Sequence, residues 1–350
     1  MREKSLKDIS WLVPEEVYRE DPALSYSTLA TYERGGFNCL STLRDKKESP
    51  SLTFGSAVDA LITGGEEEFN ERFIVADFPD IPDTIIKIIK DCFAEFHITH
   101  NTLESIPDIE VIGRAANYNY QNNWKPETRA KVIKEKGAEY YNLLFLAESK
   151  TILNSETYTE VLATVRALKE SSATKHFFEP DNPFDDNIEH LYQLKFKATL
   201  HNIDYRCMSD LLVVDYDKKI IYPVDLKTSS HPEWDFFKSF VQWDYQIQAR
   251  LYWRIIRDNL DRDSYFKDFT LSDYRFIVAN KTTLTPLVWI FPHTEMVGTL
   301  FASKSSLSFR DPEQIGAELT HYLNETPTVP LGIDPDGDNN IAEWLEKEYD

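Results

Sequence analysis

The stretch SDLLVVDYDKKIIYPVDLKT, residues 209–228, decides how this chain is read. Two apolar runs, 211–214 and 220–224, flank the polar segment Asp215-Tyr-Asp-Lys-Lys219. Apolar runs on either side of such a segment spell a β-hairpin. The turn centres between Asp217 and Lys218, and Asp210 and Asp225 stand equally far from that centre. A symmetric hairpin therefore sets the two carboxylates directly opposite each other. Side chains alternate along a strand, so Lys227 shares the face of Asp225. One face then presents Asp210, Asp225 and Lys227 together.

Like charges directly opposite destabilise a sheet. Burying them among apolar neighbours adds a desolvation cost for each ion. A bound divalent cation removes both problems. Carboxylate oxygens are hard ligands, which suit Mg²⁺ or Mn²⁺. Such an ion lowers the pKa of a bound water and neutralises charge on a phosphate. Lys227 is placed to orient an attacking water and to stabilise developing negative charge. The tripeptide alone says little, because Asp45-Lys-Lys47, Glu148-Ser-Lys150 and Asp217-Lys-Lys219 match it too. Its plainer reading is a solvated strand end with a salt bridge, and the opposed Asp210 and the apolar flanks are what argue for more. Pro223 runs against a regular strand: it cannot donate a ladder hydrogen bond, which calls for an edge or a bulge.

Outward from the hairpin, residues 189–200 alternate like a strand, His201-Asn202 reads as a turn, and 203–214 continue as strand. Residues 234–258 return to helical spacing, and 274–279 with 287–291 read as a late hairpin. Upstream, 84–175 is mostly helical, with breaks near Pro107-Asp108 and Trp124-Lys-Pro126. Residues 20–75 read as helix, loop, helix, with Ser25 or Ser27 as N-cap. The run 53–62 puts small residues on one side of a tightly packed helix. The fold class is α/β (α+β): a central mixed sheet flanked by helices, with a helical N-terminal part. The expected division is a helical part over 1–180, a core over 181–310 and an acidic C-terminal segment over 311–350.

On the 234–258 helix, Gln248 and Tyr252 are spaced to share one face. Both can donate hydrogen bonds to phosphate oxygens, although a plain polar helix face fits them as well. The net charge of −21 counts against a nucleic-acid partner. Its distribution softens this, since 311–350 hold eleven acidic residues and one basic one. Residues 125–136 run the other way, with five basic and two acidic residues. That run suits phosphate contacts or, more plainly, an exposed helix face.

The three cysteines, Cys39, Cys92 and Cys207, form no C-x-x-C pair. This points to a reducing compartment and against a disulfide framework, a zinc knuckle or a four-cysteine iron–sulfur cluster. No secretory leader and no apolar run of membrane-spanning length is visible, so a cytoplasmic protein without a membrane partner is expected. There is no P-loop, G-x-G-x-x-G or G-x-S-x-G. The segment 334–340 fails as a calcium loop, because Asn339 replaces the required Gly and Leu345 the required Glu.

Taken in order, Ser209-Asp210, Val224-Asp225-Leu-Lys227-Thr228 and Tyr245-x-x-Gln248-x-x-x-Tyr252 resemble the nuclease domain of RecE-type (exonuclease VIII-like) phage exonucleases, in the PD-(D/E)XK superfamily. The blocks LSYSTL (24–29), LTFGSAVDALI (52–62), FNERFIV (69–75) and YRFIVA (274–279) with Leu287-Val-Trp289 extend the resemblance over about residues 24–300. It implies a restriction-endonuclease-like core with Asp210 and Asp225 as metal ligands and the Leu226 carbonyl completing the coordination. Lys227 would be the catalytic lysine, with Gln248 and Tyr252 near the DNA backbone. The implied activity is 5′-to-3′ degradation of linear double-stranded DNA in phage-type recombination or replication. A ring-shaped homo-oligomer and a single-strand annealing partner come with it.

The departures matter too. Asp59 stands where the family has His, and it can still serve as an oxygen ligand to a metal. The family's acid on the strand before Asp210 falls at Glu189 or at Gln193, and Gln193 cannot carry charge. Asn280 stands where relatives often show an acid. These differences keep open a catalytically impaired PD-(D/E)XK-fold protein that binds DNA or serves assembly. A site-nicking or CRISPR-adaptation nuclease of the same superfamily is disfavoured by the missing iron–sulfur cysteines.

Overall fold

The computed structural model describes residues 4–45, 49–178, 187–292, 300–302, 305–307 and 309–324. The chain opens with α1 (Glu15–Glu20), α2 (Tyr26–Gly35), α3 (Pro50–Thr63), α4 (Gly65–Arg72) and β1 (Phe73–Val75). Then come α5 (Asp83–Phe96), α6 (Asp108–Asn117), α7 (Pro126–Ala147), β2 (Thr151–Leu153), α8 (Ser155–Glu170) and α9 (Lys175–Phe178). A meander follows, β3 (Ile188–Leu200), β4 (Ile203–Asp215) and β5 (Ile220–Thr228). The last part holds α10 (Phe236–Gln242), α11 (Tyr245–Arg262), β6 (Thr270–Leu271), β7 (Tyr274–Ala279), β8 (Leu287–Phe291), β9 (Leu300–Ala302), β10 (Ser305–Leu307) and α12 (Pro312–Asn324).

The main sheet has six strands in the order β3-β4-β5-β7-β8, with β6 also on β5. The meander and the β7–β8 pair are antiparallel, and β5 runs parallel to β6 and β7, so the sheet is mixed. The expected α/β class with a mixed sheet and helices on its faces is therefore what the chain forms.

Two turns set the register. His201 and Asn202 both take positive φ, 46° and 63°, as a tight two-residue hairpin demands. Between β4 and β5, Asp215 Oδ1 accepts from Lys218 N at 2.9 Å, and Oδ2 meets Lys218 Nζ at 2.8 Å. Lys219 takes φ 54° to close the loop. The ladder then runs from Asp215↔Ile220 to Leu211↔Val224. Asp210 and Asp225 are the next positions in that register. Pro223 is neither on an edge strand nor at a bulge, contrary to expectation. It pairs with Leu212 in central β5, at the point where β6 stops at Ile221↔Leu271 and β7 starts at Val224↔Arg275. The missing N–H therefore falls where the neighbouring strand changes.

One irregularity shapes the site. In β3, Leu191 packs against the first core cluster and Ile188 and Tyr192 against the second. Beyond Gln193 the parity flips, and Leu194, Phe196 and Ala198 join the first cluster. Gln193 itself has φ 53°, which breaks the alternation. β4 changes parity at the facing place: Tyr205 and Cys207, then Leu212 and Val214, belong to the first cluster, while Leu211 and Val213 belong to the second.

The first cluster lies between the sheet and α2, α10, α11 and α12, through Leu29, Phe240, Ile255 and Ile315. The second lies under α3 and α8, through Val58, Leu61 and Val161. Gly55 lets α3 come close: a Cβ there would sit 2.9 Å from Thr228 Oγ1 on β5. Ser25, not Ser27, caps α2, its side chain accepting from Thr28 N. The first cluster thus joins α2 to the sheet, and the bridge Leu24↔Tyr205 adds a backbone link.

Helices α5, α6 and α7 enclose a third cluster, built on Ile85, Ile88, Val111 and Ile133. Two of the five basic residues of 125–136 are spent inside it. Arg129 is buried and donates to Asn122 Oδ1, and buried Lys134 donates to the carbonyls of Glu104 and Ile106. Residues 312–324 form α12, whose Ile315 and Leu319 are fully buried, so this part of the acidic segment belongs to the core. The 334–340 stretch lies outside the described residues. No helix among the described residues is long and apolar enough to cross a membrane.

Candidate active site

Asp210 lies in the interior of β4 and Asp225 near the middle of β5. Leu226 N donates to Asp210 Oδ2 at 2.9 Å, tying the two strands at this point. Asp225 is fully buried. Gln248 Nε2 donates to its Oδ1 at 2.5 Å. Lys227 Nζ lies 2.5 Å from its Oδ2, yet that oxygen accepts no hydrogen bond of good geometry. The contact is one of charge. Lys227 also sits 4.6 Å from the centre of the Tyr245 ring.

These surroundings bias the charges. Burial pushes the Asp210 carboxyl well above its usual range, and the nearby Asp225 and Asp59 push it further. Burial favours a neutral Lys227, but Asp225, Tyr245 and Asp210 more than offset this and raise it above its ordinary value. Lys227 is therefore held as a cation beside Asp225.

Asp59 comes from α3. Gln193 Nε2 donates to both its oxygens, at 3.0 and 3.2 Å, and Arg72 Nη1 lies 3.8 Å away. Burial lifts Asp59 to about 6; Glu68 adds to the rise, while Arg72 and Gln193 oppose it. A shallow hollow lies beside Asp59 and Asp210, lined also by Thr63, Tyr192 and Leu226.

Register places Gln193, not Glu189, opposite Asp210. β3 pairs Tyr192 with Leu211 and Leu194 with Ser209, so Gln193 faces Asp210. Glu189 pairs with Val214 and is taken up elsewhere, accepting from Ser5 Oγ at 3.0 Å and Tyr216 OH at 2.5 Å. It fastens the N-terminal turn to the sheet.

Two further expectations change. Gln248 and Tyr252 are only 5% and 7% exposed, so neither side chain faces solvent as a phosphate donor would. Gln248 instead orients Asp225. Asp59 and Asp225 lie near enough to Asp210 to raise its carboxyl, yet among the described residues no group of three His, Cys, Asp or Glu is arranged to hold a metal ion. The reason is that each is engaged differently, Asp59 by Gln193, Asp210 by Leu226 N and Asp225 by Lys227 and Gln248. The pair that fits a hard divalent cation is Asp210 with Asp225, where buried Oδ2 of Asp225 lacks a hydrogen bond and like charges face one another.

Sequence reasoning passed over Glu233. It is fully buried in the loop after β5, and its carboxylate accepts from Asn280 N, Thr285 N and Thr285 Oγ1 at 3.1, 2.9 and 3.1 Å, and from Thr283 Oγ1. Asn280 Nδ2 in turn donates to Ser229 O at 2.9 Å. Glu233 and Asn280 thus lock the segment that follows Lys227 onto the β7–β8 turn. No periodic pattern marks a lone buried acid in a loop.

No protein-family model matches the chain, and no curated protein does. A solved structure from Eubacterium rectale, named "Putative exonuclease", is similar over 84% of this chain and 79% of its own, with 14% identity and a TM-score of 0.32. A likeness that loose does not assign a fold family.

Proposed function

We propose that the chain is a metal-dependent deoxyribonuclease of the PD-(D/E)XK type, a 5′-to-3′ exonuclease on linear double-stranded DNA. One observation carries this reading: Asp210 and Asp225 follow directly on the Leu211↔Val224 pair of adjacent strands, with Lys227 held 2.5 Å from Asp225. Opposed carboxylates on a sheet cost stability. A binding role gives that cost a reason. Asp210, Asp225 and the Leu226 carbonyl would hold Mg²⁺ or Mn²⁺. When bound, such an ion supplies charge neutralisation for a phosphate and a water of lowered pKa. Gln248 fixes the rotamer of Asp225, and protonated Lys227 would offer its charge to the negative charge developing on the phosphate. The resemblance brings with it phage-type recombination, a ring-shaped homo-oligomer and a single-strand annealing partner.

A second reading has its own support. The Gln193 amide stands where an acid would face Asp210, and it holds Asp59 in place. A catalytically impaired DNA-binding or assembly protein would look like this. Digestion of a linear duplex labelled at its 5′ end separates the two. Loss of label with Mg²⁺ or Mn²⁺, absent in chelator and in Asp210→Asn, and sparing a closed circle, is the expected result. No cleavage with either metal from folded protein would favour the second reading.

A further inference from the structure

Beside the Asp225–Lys227 pair, the corner between α10 and α11 carries a tryptophan that no core claims. Trp243 is 45% exposed. Its own carbonyl is nonetheless clamped: Tyr26 OH donates to it at 2.7 Å and Arg34 Nη1 at 3.1 Å. The Arg34 guanidinium lies 5.6 Å from the centre of the indole ring. The next residue, Asp244, takes the left-handed conformation at φ 55°, ψ 40°, and accepts from Arg34 at 3.0 Å. Aspartate tolerates that conformation better than most residues. A surface tryptophan left to chance has no such bracing. Here the ring is held by its backbone and by a cation, and much of it is still open to solvent.

The same residues reach the candidate site. Tyr245 begins α11 two positions on, its ring 6.3 Å from that of Tyr26 and 4.6 Å from Lys227 Nζ. Arg34, Tyr26 and Tyr245 thus form a continuous wall from Trp243 to Lys227.

We propose that Trp243, backed by Arg34, is a stacking platform for an unpaired nucleobase at the end of a DNA strand entering the site. This rests on the nuclease reading and deepens it by saying how the strand is held. The charge balance favours stacking. A chain of net charge −21 gains little from phosphate contacts. Asp244 also balances the charge of Arg34, which leaves its flat guanidinium as a support for the ring. Stacking on an aromatic ring needs no net charge and tolerates any base.

The test is binding of a fluorescently labelled short oligothymidylate to the full chain in chelator, where no cleavage intervenes. Trp243→Ala is expected to weaken binding about tenfold, and Trp243→Phe to restore most of it. Photocrosslinking of an oligonucleotide with a terminal 5-iododeoxyuridine should map to Trp243. Binding of Trp243→Ala within twofold of wild type, no binding by wild type, or a crosslink mapping elsewhere would each overturn the platform. The nuclease reading fails separately, through absence of metal-dependent cleavage by the wild-type chain, which leaves these binding results readable.

Discussion

Leu226 donates its backbone N–H to Asp210 Oδ2 at 2.9 Å, so the strand that carries Asp225 also tethers the opposing carboxylate. The tether holds two like charges together that would otherwise separate. Asp210→Asn keeps an acceptor for Leu226 and removes a carboxyl whose ionisation burial, Asp225 and Asp59 all oppose. In chelator, urea unfolding should show this variant more stable than wild type by about 0.5–1 kcal/mol, the scale of a like-charge cross-strand pair. Duplex degradation should be lost in the same protein. A variant less stable than wild type would mean that the two carboxylates do not repel each other in the folded chain.

Lys227 has a structural role as well as the proposed chemical one. It is the cation beside Asp225, which is fully buried. Lys227→Ala leaves that carboxylate unpaired, at a cost of about 3–5 kcal/mol. The double variant Asp225→Asn/Lys227→Met removes both charges and should recover most of that loss. Denaturant midpoints of the two proteins, measured together, check this. Equal destabilisation of single and double variants would show that the contact contributes nothing.

The strand pair around Asp210 was legible because a symmetric turn and a period of two leave little freedom. What escaped the sequence has identifiable causes. The assignment between Glu189 and Gln193 turned on a break in alternation at Gln193, a left-handed residue with no glycine or proline to announce it. Gln248 was placed on a helix face correctly, but periodicity does not say which face is buried, and its amide points inward at Asp225. Composition reads residues 311–350 only as an acidic segment, because charge dominates the count. Ile315 and Leu319 carried the helical spacing, and Asp311 and Glu313 are both engaged by Arg254.

The turn at Asp215 should make the hairpin acid-sensitive. Burial raises this carboxyl, but the side chain and backbone N–H of Lys218 lower it further, to a net value below the ordinary one. A depressed folded pKa stabilises above the unfolded value, about 3.9, and the gain fades as pH falls through the folded value. Asp215→Asn should cost about 1–2 kcal/mol at neutral pH. The gap from wild type should shrink below about pH 4. Stability curves for both proteins across the acid range check this, and a constant gap would sink the account.

Gln193→Glu tests whether a cation belongs next to Asp59. In the wild-type chain the Gln193 amide donates to both oxygens of Asp59, at 3.0 and 3.2 Å. A glutamate replaces that donor with a second negative charge, facing Asp210 across the strand pair. In chelator the variant should melt lower, by about 2 °C for each kcal/mol of repulsion in a chain of this size. A ligand that binds only the folded state raises its stability in proportion to occupancy. Mn²⁺ should therefore raise the melting temperature of Gln193→Glu more than that of wild type, because the added carboxylate strengthens the site while the repulsion is relieved. Equal shifts in the two proteins would place the cation away from Asp59, and leave Asp210 with Asp225 as the pair to examine.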